Sequence, residues 1–213
     1  MRTRPYPLST PGDSRHPFQR VARFLLPLIG WRVEGELPDA PKFVLVVAPH
    51  TSNWDVPIGL LCAYGLGLLF PWPYGFMVKA PVFRWPLVGP LMRWLGGIPI
   101  DRSAAHNLVE QMVDAFQRRE CLMLAITPEG TRKRTAYWKS GFYHIALAAR
   151  VPIVLAYLDY GRKVGGLGPT LWPSGDMDAD LEIIRNFYAG VTAKFPHQFG
   201  EVRFKEREGL ASQ

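Results

Sequence analysis

The stretch FVLVVAPHTSNWDVPIG, residues 43–59, carries the strongest fold signal in the chain. It opens with an unbroken apolar run, 43–47, whose length is typical of a fully buried strand. A polar turn follows, and the apolar pattern resumes at Val56, which indicates that a strand gives way to a helix. His50 and Asp55 lie in this junction. Ligands of α/β proteins bind outside the carboxyl ends of strands, so the position favours a functional site.

Three further apolar runs, 98–101, 121–127 and 151–158, are bounded by glycine, proline or charge, as buried strands are. Helical patterns cover 141–150 and 178–195. Another helix is predicted to start at the N-cap candidate Ser103 and to carry Leu108, Val109, Met112, Val113 and Phe116 on one face. Residues 201–205 are a possible last strand. Strands alternating with helices predict an α/β fold with a mixed, largely parallel sheet flanked by helices.

The chain has 213 residues, a length suited to one domain with a sizeable core. We expect a flexible N-terminal tail over 1–17, which is polar and proline-broken, and a single domain over 18–210. The net charge of +7 favours an anionic partner, either nucleic acid, a phosphate-bearing substrate or an acidic membrane surface. Cys62 and Cys121 lie in apolar sequence, which indicates small buried side chains and not a disulfide or metal site.

Two segments raise the question of membrane contact. Residues 18–31 are apolar and aromatic but include Arg20 and Arg23, which fits either an interfacial helix or a helix packed on the core. Residues 56–78 are uncharged and long enough to cross a bilayer. Glycines and prolines break this segment, and no second stretch of that length returns the chain. We therefore predict a buried or surface-lying helix that ends near the proline pair, Pro71 and Pro73.

The polar residues at the strand ends suggest chemistry. An aspartate that holds an imidazole fixes the tautomer whose free nitrogen accepts a proton, so His50 with Asp55 fits a catalytic pair. The same residues also fit helix capping, since Ser52 and Asp55 are spaced as in a capping box. The segment TPEGTRKR, 127–134, combines a glycine turn with three cations and is typical of an anion site. A solvated basic turn is the alternative there.

Together with GGIPIDR, 96–102, these segments resemble the motifs of the glycerolipid acyltransferases, especially the bacterial 1-acylglycerol-3-phosphate (lysophosphatidic acid) acyltransferases. The resemblance runs from about residue 31 to 158. It rests on His50, Ser52 and Asp55; on Gly96, Ile100 and Arg102; on Pro128 to Arg132; and on Val151, Pro152 and Ile153. The chain departs from the family pattern at Pro49, Pro99, Thr127, Lys133 and Leu155. These departures leave the acyl length and the choice of acceptor open.

The resemblance implies a glycerol-phosphate acyltransferase-like fold and acyl transfer from a thioester to a lysophospholipid hydroxyl in phospholipid biosynthesis. His50 would be the general base and Asp55 would orient it. Arg102 and Arg132 would bind the acceptor phosphate, with Lys79 as a further contributor. Glu129, Gly130 and Thr131 would shape the turn that holds them. No metal or bound cofactor is implied, because acyl-CoA or acyl carrier protein enters as the donor substrate.

The expected acceptor is 1-acylglycerol-3-phosphate, and another lysolipid such as a lyso-ornithine lipid is the alternative. A catalytically silent peripheral lipid-binding protein is a second alternative. Nucleic-acid binding has only the net charge in its favour, so no nucleic-acid partner is expected. Arg84 and Arg93, each beside a tryptophan, suit docking on anionic lipid. We expect a peripheral protein on the cytoplasmic face of the membrane.

Overall fold

The computed structural model describes residues 17–69, 74–101 and 105–205. Within these ranges the strands are β1 Arg32–Glu34, β2 Lys42–Val47, β3 Tyr74–Lys79, β4 Gly97–Ile100, β5 Leu122–Ile126, β6 Ile153–Asp159 and β7 Val164–Leu171. The α-helices are α1 Pro17–Leu28, α2 Asp55–Leu66, α3 Val88–Trp94, α4 Ala105–Gln117, α5 Gly141–Ala149 and α6 Met177–Tyr188. Two 3₁₀ helices cover Ala80–Arg84 and Pro196–Gln198.

These strands form one sheet in the order β1-β7-β6-β2-β5-β3-β4. Each neighbouring pair is parallel except β6 and β7, which are antiparallel. The α/β prediction with a mixed, largely parallel sheet is confirmed. β2 lies between β5 and β6 and is parallel to both, so the loops that follow these three strands emerge at the same edge of the sheet.

Alternate residues of the central strand β2 face opposite sides of the sheet, as strand geometry requires. Phe43 and Leu45 are buried in a cluster that includes Leu68, just beyond the end of α2. Val44 and Val46 are buried in the larger cluster formed with α4, α5 and α6. The helix α1 packs on α2. The sheet is therefore a middle layer, with α1 and α2 on one face and α4, α5 and α6 on the other.

The strands predicted at 43–48, 98–101, 121–127 and 151–158 are β2, β4, β5 and β6, and the helix at 141–150 is α5. The predicted apolar face of α4 is also confirmed, because Met112 and Phe116 are buried in the core. Ser103, its candidate N-cap, lies outside the described residues. Cys62 and Cys121 are both buried and free, as expected.

The helix predicted to begin after Asp55 and to end near Pro71 and Pro73 is shorter than expected. α2 ends at Leu66, and Gly67 follows in the left-handed conformation with φ 78°. Its N–H and that of Leu68 bind the last helical carbonyls, which ends the helix well before the prolines. Residues 74–79 then form β3. No helix in the described ranges is long and apolar enough to cross a membrane.

Two other boundaries differ from expectation. The late helix predicted over 178–195 ends at Tyr188, and the residues after it fold back as irregular chain over the sheet edge. The segment 201–205 is not a strand, since it makes a single bridge from Phe204 to Trp138. The sequence also gave no signal for β7, whose glycines are atypical of strands. A Cβ on Gly165 would lie 2.4 Å from Cys62 Sγ, so glycine there allows α2 to approach the sheet.

Candidate active site

His50 and Asp55 meet at the carboxyl end of β2. The His50 Nδ1 atom lies 3.1 Å from Asp55 Oδ2, and both side chains are largely shielded from solvent. A proton on Nδ1 donates to this carboxylate, which leaves Nε2 as the ring nitrogen with a free lone pair. The local geometry therefore suits proton abstraction by Nε2.

The same carboxylate takes part in hydrogen bonds expected of a capping loop, although Trp54, the residue immediately before α2, has no side-chain cap. Asp55 Oδ2 accepts the backbone N–H groups of Thr51 and Ser52, each at 2.8 Å. The Ser52 hydroxyl accepts the N–H of Trp54 at 3.1 Å. One carboxylate oxygen thus orders the loop before α2 and holds the imidazole. The contacts expected of capping residues and the contact expected of a catalytic pair are therefore compatible, and the catalytic role stays a prediction.

Tyr160 completes the contacts of the Asp55 carboxylate and was not predicted. Its hydroxyl donates to Asp55 Oδ1 at 2.7 Å. Burial by itself raises the pKa of Asp55, but the hydrogen bonds from His50, Tyr160, Ser52 and Thr51 outweigh it and hold that pKa below its usual value. Burial and the bond to Asp55 raise the pKa of Tyr160, so the phenol stays protonated as a donor.

Glu129 has a closer connection to the histidine than its expected turn-shaping role implied. Its side chain is buried, and its carboxylate accepts the His50 backbone N–H at 3.0 and 3.2 Å. Burial is the main cause that raises the pKa of this carboxyl to about 7. The loop after β5 is thereby tied directly to the loop after β2, and the two motifs form one site.

A pocket of about 310 Å³ opens beside the histidine. It is lined by His50, Thr127, Gly130, Thr131 and Arg132, so the histidine and the glycine turn predicted from separate motifs share one cavity. Gly130 adopts φ 65°, the left-handed conformation expected of a glycine in such a turn. The exposed Arg132 guanidinium donates to the Asn53 side-chain oxygen, which holds this cation next to the His50 loop.

The remaining predicted cations are less closely placed. Lys79 is exposed at the end of β3, on the same sheet edge as the pocket, and is not one of the described residues that line it. Arg102 lies outside the described residues. Among the residues that are described, no three His, Cys, Asp or Glu side chains are grouped as a metal site requires.

The segment after α6, which includes the 3₁₀ helix Pro196–Gln198, contacts the site and was not predicted from the sequence. The Phe195 N–H donates to the Thr51 hydroxyl at 3.2 Å. With its amide nitrogen facing two carbonyl oxygens, Gln198 donates to Thr51 O at 3.0 Å and to Arg132 O at 2.6 Å. Lys194 Nζ lies 5.2 Å from the centre of the Trp54 ring. These contacts join segments more than 60 residues apart, which no local pattern reveals.

Tyr160, by contrast, had a positional signal. It directly follows β6, the parallel neighbour of β2, and so reaches the sheet edge at which His50 lies. A polar residue at that point in the sequence was a candidate for the site.

The chain is similar to known acyltransferases. The family model described as Acyltransferase matches residues 31–158. The 1-acyl-sn-glycerol-3-phosphate acyltransferase of Escherichia coli strain K12 is 30% identical over 160 residues, covering 70% of this chain and 62% of the relative. The protein of the same name from Haemophilus influenzae is 30% identical over 147 residues, covering 63% of this chain and 58% of that relative.

A relative of another specificity also matches. The lyso-ornithine lipid O-acyltransferase of Pseudomonas aeruginosa is 37% identical over 100 residues, covering 47% of this chain and 34% of the relative. The chain thus spans about three fifths of the length of the first curated relatives it matches. No solved structure matches it significantly.

Proposed function

The chain belongs to the Acyltransferase family, and from this premise we propose that it moves a fatty acyl group from an acyl thioester to a lysophospholipid hydroxyl. The donor is acyl-CoA or acyl carrier protein, neither of which acts as a bound cofactor. The principal acceptor is 1-acylglycerol-3-phosphate, and the reaction serves phospholipid biosynthesis. The observation that carries the proposal is the His50–Asp55 pair opening onto the same pocket as Arg132.

In the proposed mechanism, His50 Nε2 removes the proton from the acceptor hydroxyl as the oxygen attacks the thioester carbonyl. Asp55 stabilises the imidazolium that forms, because its carboxylate faces the protonated Nδ1 at 3.1 Å. The tetrahedral intermediate then collapses, the carbon–sulfur bond breaks, and the departing sulfur takes the proton from Nε2. Atoms and charges balance without any group beyond the two substrates and the histidine.

Direct attack is favoured over a covalent acyl-enzyme. The Ser52 hydroxyl caps the Trp54 N–H in a buried position, and no histidine bond to it is found among the described contacts. Cys121 is buried just before β5, and burial raises the pKa of the second thiol, Cys62, to about 12. Both thiols are buried, so neither is exposed to a substrate as a nucleophile.

The acceptor phosphate is assigned to the Arg132 side of the pocket. A guanidinium beside a glycine turn gives the planar donor pair that phosphate binds well. Thr131 lines the same cavity and adds a hydroxyl. Asn53 is a neutral partner for Arg132, so the guanidinium retains its full charge for a ligand. Lys79, at the end of β3, remains a proposed contributor, and Arg102, which lies outside the described residues, remains one on the resemblance alone.

Membrane association is proposed through two exposed apolar surfaces. The helix α1 buries Ala22 and Leu26 against the domain but exposes Phe18, Phe24 and Leu28. The helix packs on the domain with one face, and its exposed apolar face supports the interfacial role that we propose. A second surface lies at the opposite end of the sheet, where Trp85, Leu87, Leu91 and Trp94 are exposed beside Arg84 and Arg93. Aromatic and basic side chains together suit an anionic membrane surface.

The second candidate acceptor is a lyso-ornithine lipid, because one relative carries that name. Such a lipid has no phosphate, so it would leave Arg132 without the ligand proposed above. The two acceptors can therefore be distinguished by their dependence on Arg132 as well as by their rates of acylation. A non-catalytic lipid-binding protein is disfavoured by the intact His50–Asp55 contact.

The test is transfer of a labelled acyl group by the purified chain. Acyl-CoA and acyl carrier protein thioesters are each offered with 1-acylglycerol-3-phosphate, a lyso-ornithine lipid or a monoacylglycerol. We expect the phosphate-bearing acceptor to give the highest kcat/KM. Faster turnover of the lyso-ornithine lipid would replace the proposed acceptor, and vesicle binding without any transfer would support the non-catalytic alternative.

A further inference from the structure

We propose that Tyr160 is a positioning residue that acts on His50 through the Asp55 carboxylate. This inference rests on the proposed function, because it assigns the tyrosine a part in the proton transfer of that reaction. Its basis is the continuous contact from the Tyr160 hydroxyl to Asp55 Oδ1 and from Asp55 Oδ2 to His50 Nδ1.

The division of donors between the two carboxylate oxygens gives Tyr160 a distinct role. Oδ2 receives the imidazole and the N–H groups of Thr51 and Ser52. Tyr160 is the described donor to Oδ1. It fixes the plane of the carboxylate about the side-chain torsion, so that Oδ2 stays directed at the ring. The hydrogen bond from Tyr160 also offsets part of the carboxylate's negative charge, and so weakens its attraction for the imidazolium.

Tyr160 is itself held in place by contacts with three neighbouring residues. Its backbone N–H donates to Thr192 O at 2.9 Å, which anchors the end of β6. Trp31 packs edge to face against the ring at a centroid distance of 5.0 Å. Lys194 Nζ lies 5.6 Å from the ring centre. A hydroxyl carried on so constrained a ring is preorganised to orient the carboxylate, which a mobile surface tyrosine is not.

The charged and titratable groups around the Tyr160–Asp55–His50 contacts come from several elements. Asp55 and Cys62 face Tyr160 from α2, and Lys194 faces it from the segment after α6. Glu129 contacts the His50 backbone from the loop after β5. Only the Tyr160 hydroxyl changes in the substitution Tyr160→Phe, so these other groups act as a constant background.

The matched control is Tyr157→Phe, on β6 itself and three residues before Tyr160. The Tyr157 hydroxyl also donates to a carboxylate, that of Glu34 on the outermost strand β1, which is not among the described residues that line the pocket. Both substitutions keep the aromatic ring and remove one tyrosine–carboxylate hydrogen bond. A general loss of stability therefore affects both variants, whereas a positioning role affects Tyr160→Phe alone.

The first measurement is the pH profile of kcat and of both KM values in acyl transfer. For Tyr160→Phe we expect kcat to fall about threefold to thirtyfold with both KM values nearly unchanged. The carboxylate is then no longer held in the plane that directs Oδ2 at the ring, and this loss of orientation outweighs its stronger attraction for the imidazolium. The acidic limb of the profile should move to higher pH, because a carboxylate without its donor attracts the imidazolium proton more strongly. Unchanged kcat, or an equal loss in Tyr157→Phe, would overturn the proposal.

A second measurement separates this inference from the proposed function. The His50 ring is titrated by NMR in isotopically labelled protein, with the signal assigned by its absence in His50→Ala. The titration midpoint should rise in Tyr160→Phe and stay constant in Tyr157→Phe. An unchanged midpoint in Tyr160→Phe refutes the positioning role even if transfer is active, and a raised midpoint supports it even if the assumed acceptor is wrong.

Discussion

Replacing Asp55 by asparagine separates the charge of this residue from its geometry. The amide oxygen of the variant can occupy the Oδ2 position and keep the donors from His50, Thr51 and Ser52. The amide nitrogen then faces the Tyr160 hydroxyl, which can rotate from donor to acceptor because a phenol does both. Every contact is retained, the imidazole keeps its tautomer, and only the negative charge is lost.

The size of the effect follows from the distance between the charges. The carboxylate oxygen is 3.1 Å from Nδ1, and the centre of an imidazolium charge lies slightly farther away. At about 4 Å and an effective dielectric constant of about 20, two unit charges interact by about 4 kcal/mol. Full proton transfer in the transition state then costs the variant up to about a thousandfold in kcat.

The assay is acyl transfer under saturating donor and acceptor, with thermal unfolding as the check on folding. Asp180→Asn is the matched control, because Asp180 is another buried aspartate that accepts a tyrosine hydroxyl, that of Tyr143, at 2.7 Å. We expect Asp180→Asn to lower stability and leave kcat unchanged. A folded Asp55→Asn variant with wild-type kcat would refute the electrostatic reasoning.

Three other substitutions test the proposed phosphate site, the buried carboxyl of Glu129 and the proposed membrane-binding surface. Arg132→Gln should raise the KM for 1-acylglycerol-3-phosphate and lower kcat/KM about tenfold to a hundredfold, with Arg132→Lys between it and wild type; an equal loss on monoacylglycerol would contradict phosphate contact. Glu129→Gln should become more stable relative to wild type as pH rises from the usual carboxyl pKa of 4.5 to about 7, since the folded state holds the glutamate proton more tightly than the unfolded state. That relative gain reaches up to about 3 kcal/mol in urea titrations, and a constant difference across this range would count against it. Phe24→Ala should weaken binding to anionic vesicles about tenfold in a sedimentation assay. The control is Ile183→Ala on the exposed side of α6, and an equal loss in both variants would contradict the assignment of this surface.

The buried strands were predictable because parallel strands covered on both faces are continuous apolar runs. Residues 43–47, 122–126 and 153–158 all have this pattern, and they form the centre of the sheet. β3 was not recognised because its apolar residues continue the uncharged stretch of α2. β7 was missed because its glycines, needed where other side chains touch the strand, are poor strand formers in isolation.

The candidate site was predictable where one motif follows one strand. His50 and Asp55 after β2, and Glu129 to Arg132 after β5, come together because parallel strands end at a common edge. The burial of the Glu129 side chain was not predictable, since it depends on packing against the His50 loop. Gln198 was not predictable either, because its contacts depend on how the chain after α6 returns to the sheet.

The most direct test of the account is the rate of labelled acyl transfer to 1-acylglycerol-3-phosphate by wild type and by His50→Ala at matched folded concentration. The account predicts that wild type forms the diacyl product and that the variant is slower by about a hundredfold to ten-thousandfold, since it lacks the general base. The pocket loops should remain folded, because Glu129 binds the backbone N–H of residue 50 and not its side chain. A folded His50→Ala variant that transfers acyl groups at close to the wild-type rate would contradict the proposed mechanism.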